Sequence, residues 1–293
     1  MVLAPFLIMF REGLEAALII AILIAYLSKT NKSEFKKYVW GGAGLAIALS
    51  VIIGAVVVLF FGTLQGVAEQ LFEGITSLLA TVVLTAMIFW MAKNAKNIKT
   101  ELQQKIDTVV SNKYTIGLAA IAFIAVFREG IETVLFLTAS YAVDFGGTTL
   151  GIILGLIPVI VLAFLLLKGT IKLPLQQFFK YTGVLLIVFA AGLFGFGIHE
   201  LMEAAESSGI EFGWFGEHTY DINPKNSTDI LHEKGVVGSV FKALVGYDGN
   251  PENLRVIGYV LYWLFIGGYF LRTYKGISFR KTVKAKLGRS QKL

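Results

Sequence analysis

Apolar runs of membrane-spanning length recur along the whole chain, and the polar residues between them gather into short loops. Seven such runs occur, at about 4–28, 39–63, 71–92, 116–143, 148–167, 181–203 and 256–274. A helix needs about 20 mostly apolar residues to cross the hydrocarbon of a bilayer. Inside lipid, backbone polar groups must pair within their own segment, which selects helices here. The pattern therefore predicts an all-α, polytopic membrane protein with seven transmembrane helices.

The loops alternate in charge. Lys29, Lys32, Lys36 and Lys37 follow the first run; Lys93, Lys96, Lys99, Lys105 and Lys113 follow the third; Lys168, Lys172 and Lys180 follow the fifth. The tail after the last run is basic from Arg272 onward. The stretches Gln65 to Gln70 and Asp144 to Thr148 hold no Lys or Arg, and the segment after the sixth run is acidic. Basic loops stay in the cytoplasm, so the N-terminus is expected outside and the C-terminus inside. The start, Met1-Val2-Leu3-Ala4-Pro5, lacks the basic region of a signal peptide, and the first run reads as a retained helix.

Two runs are broken by charge in the same way. Arg11-Glu12-Gly13-Leu14-Glu15 lies in the first, and Arg128-Glu129-Gly130-Ile131-Glu132 lies in the fourth, each after a phenylalanine (Phe10, Phe127). A charge at the bilayer centre costs about 2.5–3.5 kcal/mol on insertion scales, so six in two matching clusters mark a functional site. On a helix the two glutamates of each copy, three apart, share a face, and the arginine can pair with the glutamate four residues on. The glycine clears a place where another helix can approach closely. The unit that repeats is three helices, and an odd number inverts the second unit against the first, as in many transporters whose site lies at the repeat interface. The expected organisation is a three-helix repeat over 1–115, a second over 116–203, an acidic extracytoplasmic loop over 204–255, and a seventh helix with a basic cytoplasmic tail over 256–293.

Composition narrows the chemistry. With 56% hydrophobic residues, 16% charged and a mean hydropathy of +0.71, a soluble domain is excluded. The net charge of +6 lies in alternate loops and does not indicate nucleic acid as a partner. There are no cysteines, so thiolate metal sites, iron–sulfur clusters and disulfides are excluded. Glu12, Glu15, Glu129 and Glu132 are the candidate metal ligands, and Arg11 and Arg128 the charge-balancing cations. Four ionised glutamates and two arginines leave a charge of −2, which calls for a cation or for protons. Oxygen-only ligands suit iron(III), magnesium, calcium or manganese. Interhelical salt bridges with a purely structural role are the plainer alternative, but buried pairs add little net stability.

The paired Arg-Glu-Gly-x-Glu segments, with the span count and loop signs, resemble the oxidase-dependent iron permease family, which includes the fungal high-affinity iron permease and bacterial EfeU-type proteins. Phe72-Glu73-Gly74 and Gly197-Ile198-His199-Glu200-Leu201 also resemble family segments. The resemblance implies that the four glutamates coordinate iron, as transported substrate rather than cofactor. It implies a location in the cell membrane and an extracytoplasmic ferroxidase or iron-binding protein as partner. Another metal such as lead, an intramembrane carboxylate enzyme, or a scaffold or receptor subunit are the rival functions. No phosphate-binding loop is present, so direct use of ATP is not expected.

A weaker candidate set lies at the expected outer entrance: Glu69, Glu73, His199, Glu200, Glu203 and Glu206. Residues 199–255 hold ten acidic residues against three lysines, and a negatively lined mouth concentrates cations. The Glu-x-x-Glu spacing there resembles the acidic iron-binding motifs of the family's external loops. The basic tail is expected to bind anionic membrane lipid.

Overall fold

The computed structural model describes residues 2–94, 100, 102–104, 108, 115–169, 175–224, 235–269 and 272, and these are helical almost throughout. Six long helices come first: α1 (Leu3–Lys29), α2 (Lys36–Phe61), α3 (Val67–Asn94), α4 (Thr115–Val143), α5 (Phe145–Leu167) and α6 (Leu175–Ser207). Two shorter ones follow, α7 (Val236–Val245) and α8 (Asn253–Tyr262), the latter running into a π-helical turn at Trp263–Gly267. No strand occurs among the described residues; an isolated bridge joins His218 and Glu252. The basic tail beyond Arg272, most of the basic loop after α3, and His232 lie outside the described residues.

Four of these helices are long and apolar enough to cross a membrane: the stretches Ser33–Phe61, Val67–Asn94, Phe145–Leu167 and Gln177–Ser207. Helices α1 and α4 match them in length, with 27 and 29 residues, but carry the charged pentapeptides. The local reasons for the breaks are simple. Asp144 is extended, and its side chain accepts a hydrogen bond from the Gly147 N–H at 3.0 Å, so a single residue separates α4 from α5. Pro158 lies inside α5, which continues through it without a break.

Four helices form a ring in which α1 packs on α4, α4 on α3, α3 on α6 and α6 on α1. Helix α5 lies along the outer side of α1, and α2 along the outer side of α4. Burial follows this plan: about half of the apolar stretch is covered in α3 and 61% in α6, but only 11% in α2 and 17% in α5. The uncovered faces of α2 and α5 are apolar, with Leu45, Val51, Ile52, Leu59, Ile157, Ile160 and Phe164 all exposed. That is the arrangement expected where hydrocarbon, not water, is the surrounding solvent. Helices α3 and α6 cross at Gly74 and Gly197, where a methyl on either residue would stand about 3 Å from the other's carbonyl oxygen. Only glycine permits that approach.

The buried apolar residues divide into two clusters. One joins the first half of α1 with α3, α6 and the end of α4, through Ile8, Leu84, Phe136 and Leu186. The other joins the second half of α1 with α2 and the start of α4, through Leu23, Val39, Leu118 and Val126. In α4 the charged pentapeptide falls between the two clusters; in α1 it lies within the first, which runs on to Leu18.

Beyond α6 the chain is tied to the start of α8. The Asn253 side chain donates to the Trp214 carbonyl at 2.7 Å and accepts from the Thr219 hydroxyl at 2.7 Å. Its backbone N–H donates to the Glu217 carbonyl at 2.9 Å. Helix α7, absent from the sequence reading, packs on α6 and on α1.

Candidate metal centre

Both pentapeptides are helical, so their glutamates face one way as the spacing requires, and the α1–α4 contact turns the two sets toward each other. One carboxylate oxygen from each of Glu12, Glu15 and Glu129 lies within 4.8 Å of the other two, and all three residues are buried. Glu132 is not part of that close triad; it is held by Arg128 through Nε to Oε1 at 3.3 Å. The sequence thus names all four, and the geometry gathers three.

The first arginine is sealed in. Arg11 is 1% exposed, contacts Glu12 Oε1 and Glu15 Oε1 at 3.0 Å each, and donates to the Met87 sulfur at 3.2 Å. The second is open: Arg128 is 46% exposed, reaches Glu129 Oε1 at 3.1 Å, and lies 5.2 Å from the centre of the Trp90 ring. Several acceptors inside the cluster have no hydrogen-bond partner, namely Glu12 Oε2, Glu129 Oε2 and Glu132 Oε2. Buried acceptors are seldom left so unless an ion, proton or water belongs there. At 4.8 Å, two carboxylates repel by about 3 kcal/mol at an effective dielectric of about 20, so three cannot stay ionised without a positive partner.

The motif glycines do what the sequence required of them. A methyl on Gly13 would sit 3.0 Å from both Val159 methyls of α5, and one on Gly130 would overlap the Ser50 side chain of α2. Each copy is pressed by the second helix of the other three-helix group. A cavity of about 100 Å³ reaches the carboxylates, bordered by Glu15, Ile22, Trp90, Arg128, Glu129 and Phe179.

The entrance candidates form a second cluster, at the end of the bundle that carries the N-terminus. Ligand atoms of His199, Glu200 and Glu203 lie within 4.8 Å of one another, and Glu73 stands within hydrogen-bonding reach of Glu200. Glu69 is close enough to add to the negative field at Glu73. Glu206 is exposed and lies beside Gly216. Glu252 was not among the residues read from the sequence. Its Oε1 lies 2.7 Å from His199 Nδ1. Burial works against its charge, but the His199 hydrogen bond and charge win, and its carboxyl is brought down to about 2. The two residues are 53 apart, and no spacing rule could have joined them.

Fold and site define a helical membrane protein with a cluster of buried carboxylates between two of its helices. The Iron permease FTR1 family matches residues 2–278, and the chain belongs to that family. An uncharacterized protein of Archaeoglobus fulgidus is 38% identical over 93% of this chain and 96% of its own length. The ferrous iron permease EfeU of Yersinia pestis is 36% identical over 88% of this chain and 89% of its own, and that of Escherichia coli O6:K15:H31 is 37% identical over 88% and 91%. No solved structure matches. The family consists of permeases, so this protein is a membrane transporter and not an enzyme.

Proposed function

We propose that the protein imports iron across the cytoplasmic membrane, passing the ion through the cluster of Glu12, Glu15, Glu129 and Glu132. The observation that carries this is the convergence of three buried carboxylates from two helices, within 4.8 Å, with acceptors left unpaired. Those oxygens replace the ion's water shell at the midplane. Arg11 and Arg128 balance the negative charge when no ion is bound.

An inverted pair of three-helix repeats fits the packing: α1 meets α5 as α4 meets α2, and α3 meets its counterpart α6. In this reading seven helices cross the membrane, α8 with its π turn being the last, and the N-terminus lies outside. The cluster of Glu73, His199, Glu200 and Glu203 then faces the extracytoplasmic side. It receives iron, as Fe3+ or as Fe2+ coupled to an oxidase, from a ferroxidase or iron-binding protein. The membrane potential favours entry by about 2.3 kcal/mol per charge for each 100 mV.

The test is reconstitution into liposomes with an inside-negative potential and a defined ferrous or ferric supply. Iron accumulation by the wild type and its loss in Glu129→Ala are expected. Equal accumulation by both would remove the carboxylates from the path, and accumulation of lead or manganese in place of iron would reassign the substrate.

A further inference from the structure

The two ends of the four-helix ring are not alike. Where α1 and α3 finish and α4 and α6 begin, the cavity of about 100 Å³ runs from Ile22 and Phe179 down to Glu15 and Glu129. A cavity at the other end holds about 20 Å³, room for roughly one water. It is bordered by Lys242 and Gly246 at the end of α7 and by Arg255, so two cations line it.

Arg128 stands on the wall of the larger cavity. A metal cation arriving on the unpartnered Glu129 Oε2 is repelled by the guanidinium that lies 3.1 Å from Oε1 of the same carboxylate. Arg11 has no room to leave, being 1% exposed and held by Met87. Arg128 has both room and somewhere to rest. It is 46% exposed and lies 5.2 Å from the ring centre of Trp90, itself 43% exposed and on the same wall. An arginine over an indole face keeps part of its stabilisation when its carboxylate is taken away.

We propose that this cavity is the passage by which the cation leaves the buried carboxylates, on the side opposite the N-terminus, and that Trp90 is a positioning residue that holds Arg128 aside while the ion is bound. The proposal rests on the reading of the cluster as the iron path. Trp90 stands near the end of its apolar run, a place where aromatic side chains commonly serve as interfacial anchors; its contact with Arg128 gives it this different task.

The chain has no cysteine, so a single Ile22→Cys substitution supplies the sole thiol in the passage. Glu211→Cys, on the exposed segment after α6, marks the N-terminal face. In sealed vesicles of each orientation, a membrane-impermeant maleimide is expected to label Ile22→Cys only from the face that does not label Glu211→Cys. Labelling of both from the same face, or no labelling of Ile22→Cys, overturns the passage. In liposome uptake, Trp90→Leu is expected to raise the apparent KM for iron about tenfold with the maximal rate within about twofold, and Trp90→Phe about twofold, as cation–π contacts of this kind allow. An unchanged KM in Trp90→Leu overturns the positioning role. If Trp90→Leu yields no folded protein, Trp90→Phe decides alone: a KM equal to wild type counts against the proposal. Should the wild type move no iron, the parent reading fails while the labelling still reports the passage.

Discussion

The two copies of Arg-Glu-Gly-x-Glu are alike in sequence and unlike in surroundings. In the first, Arg11, Glu12 and Glu15 are all at most 4% exposed, and a sulfur from α3 accepts from the arginine. In the second, Arg128 is half open, Glu132 is 16% exposed, and an aromatic ring stands where the sulfur stood. Duplicated chemistry can thus serve two tasks, a fixed counter-charge in one copy and a movable one in the other. The difference lies in the neighbours, Met87 against Trp90, both contributed by α3.

The largest effect that would break this comparison is expected on transport. Glu12→Ala and Glu129→Ala should each reduce iron uptake by more than about 100-fold, since loss of a ligand costs at least what loss of its supporting partners does. Near-normal uptake by either variant would take that copy out of the path. Next comes stability. Arg11→Met should destabilise the protein by about 3–5 kcal/mol, because it strands two buried carboxylates. Arg128→Met should cost less, about 1–3 kcal/mol, because the guanidinium is half exposed and its loss strands one deeply buried carboxylate, Glu129, rather than two. Chemical denaturation in detergent micelles measures both, and equal losses would show that the copies are equivalent after all.

The glycines sharpen the same contrast. Gly130→Ala overlaps Ser50 and should cost about 1–3 kcal/mol, recovered in part by Ser50→Gly. Gly13→Ala meets only the Val159 methyls at 3.0 Å, which can give way, and should cost less. The smallest effect concerns the cluster around His199. The Glu252 carboxyl is depressed to about 2 beside His199, so its contribution is complete above the ordinary carboxylate range near 4.5 and disappears as pH falls through about 2. The difference in thermal midpoint between wild type and Glu252→Gln should therefore be full at pH 5 and shrink steadily below about pH 4.5. A difference independent of pH would remove the ionised pair.

The long helices were legible because their apolar runs are set by one uniform requirement, the thickness of hydrocarbon. Each of the first six begins and ends within about six residues of its reading. Where the reading fell short, side chains with two uses were responsible. The sixth run was expected to stop at residue 203, among glutamates that start at Glu200, yet α6 continues to Ser207, with Met202 and Ala204 buried. The six charged residues of the pentapeptides were legible from their cost in lipid. Which three carboxylates close on one point was not, since that depends on how α1 and α4 are rotated about their axes. Helix α7 was hidden in a stretch read as acidic loop. Trp90 and Glu252 were unreadable as partners because contacts between distant helices leave no periodic trace.

The sealed state of Arg11 bears on how the protein is made. Helix α1 is made before α3 and α4 and carries three charges into the insertion machinery, whereas the Met87 and Glu129 groups that enclose them belong to those later helices. Until those arrive, only the pairing of Arg11 with Glu12 and Glu15 along the helix itself offsets the hydrocarbon's penalty. A charged segment translated before its neighbours must therefore wait for them to find its finished surroundings.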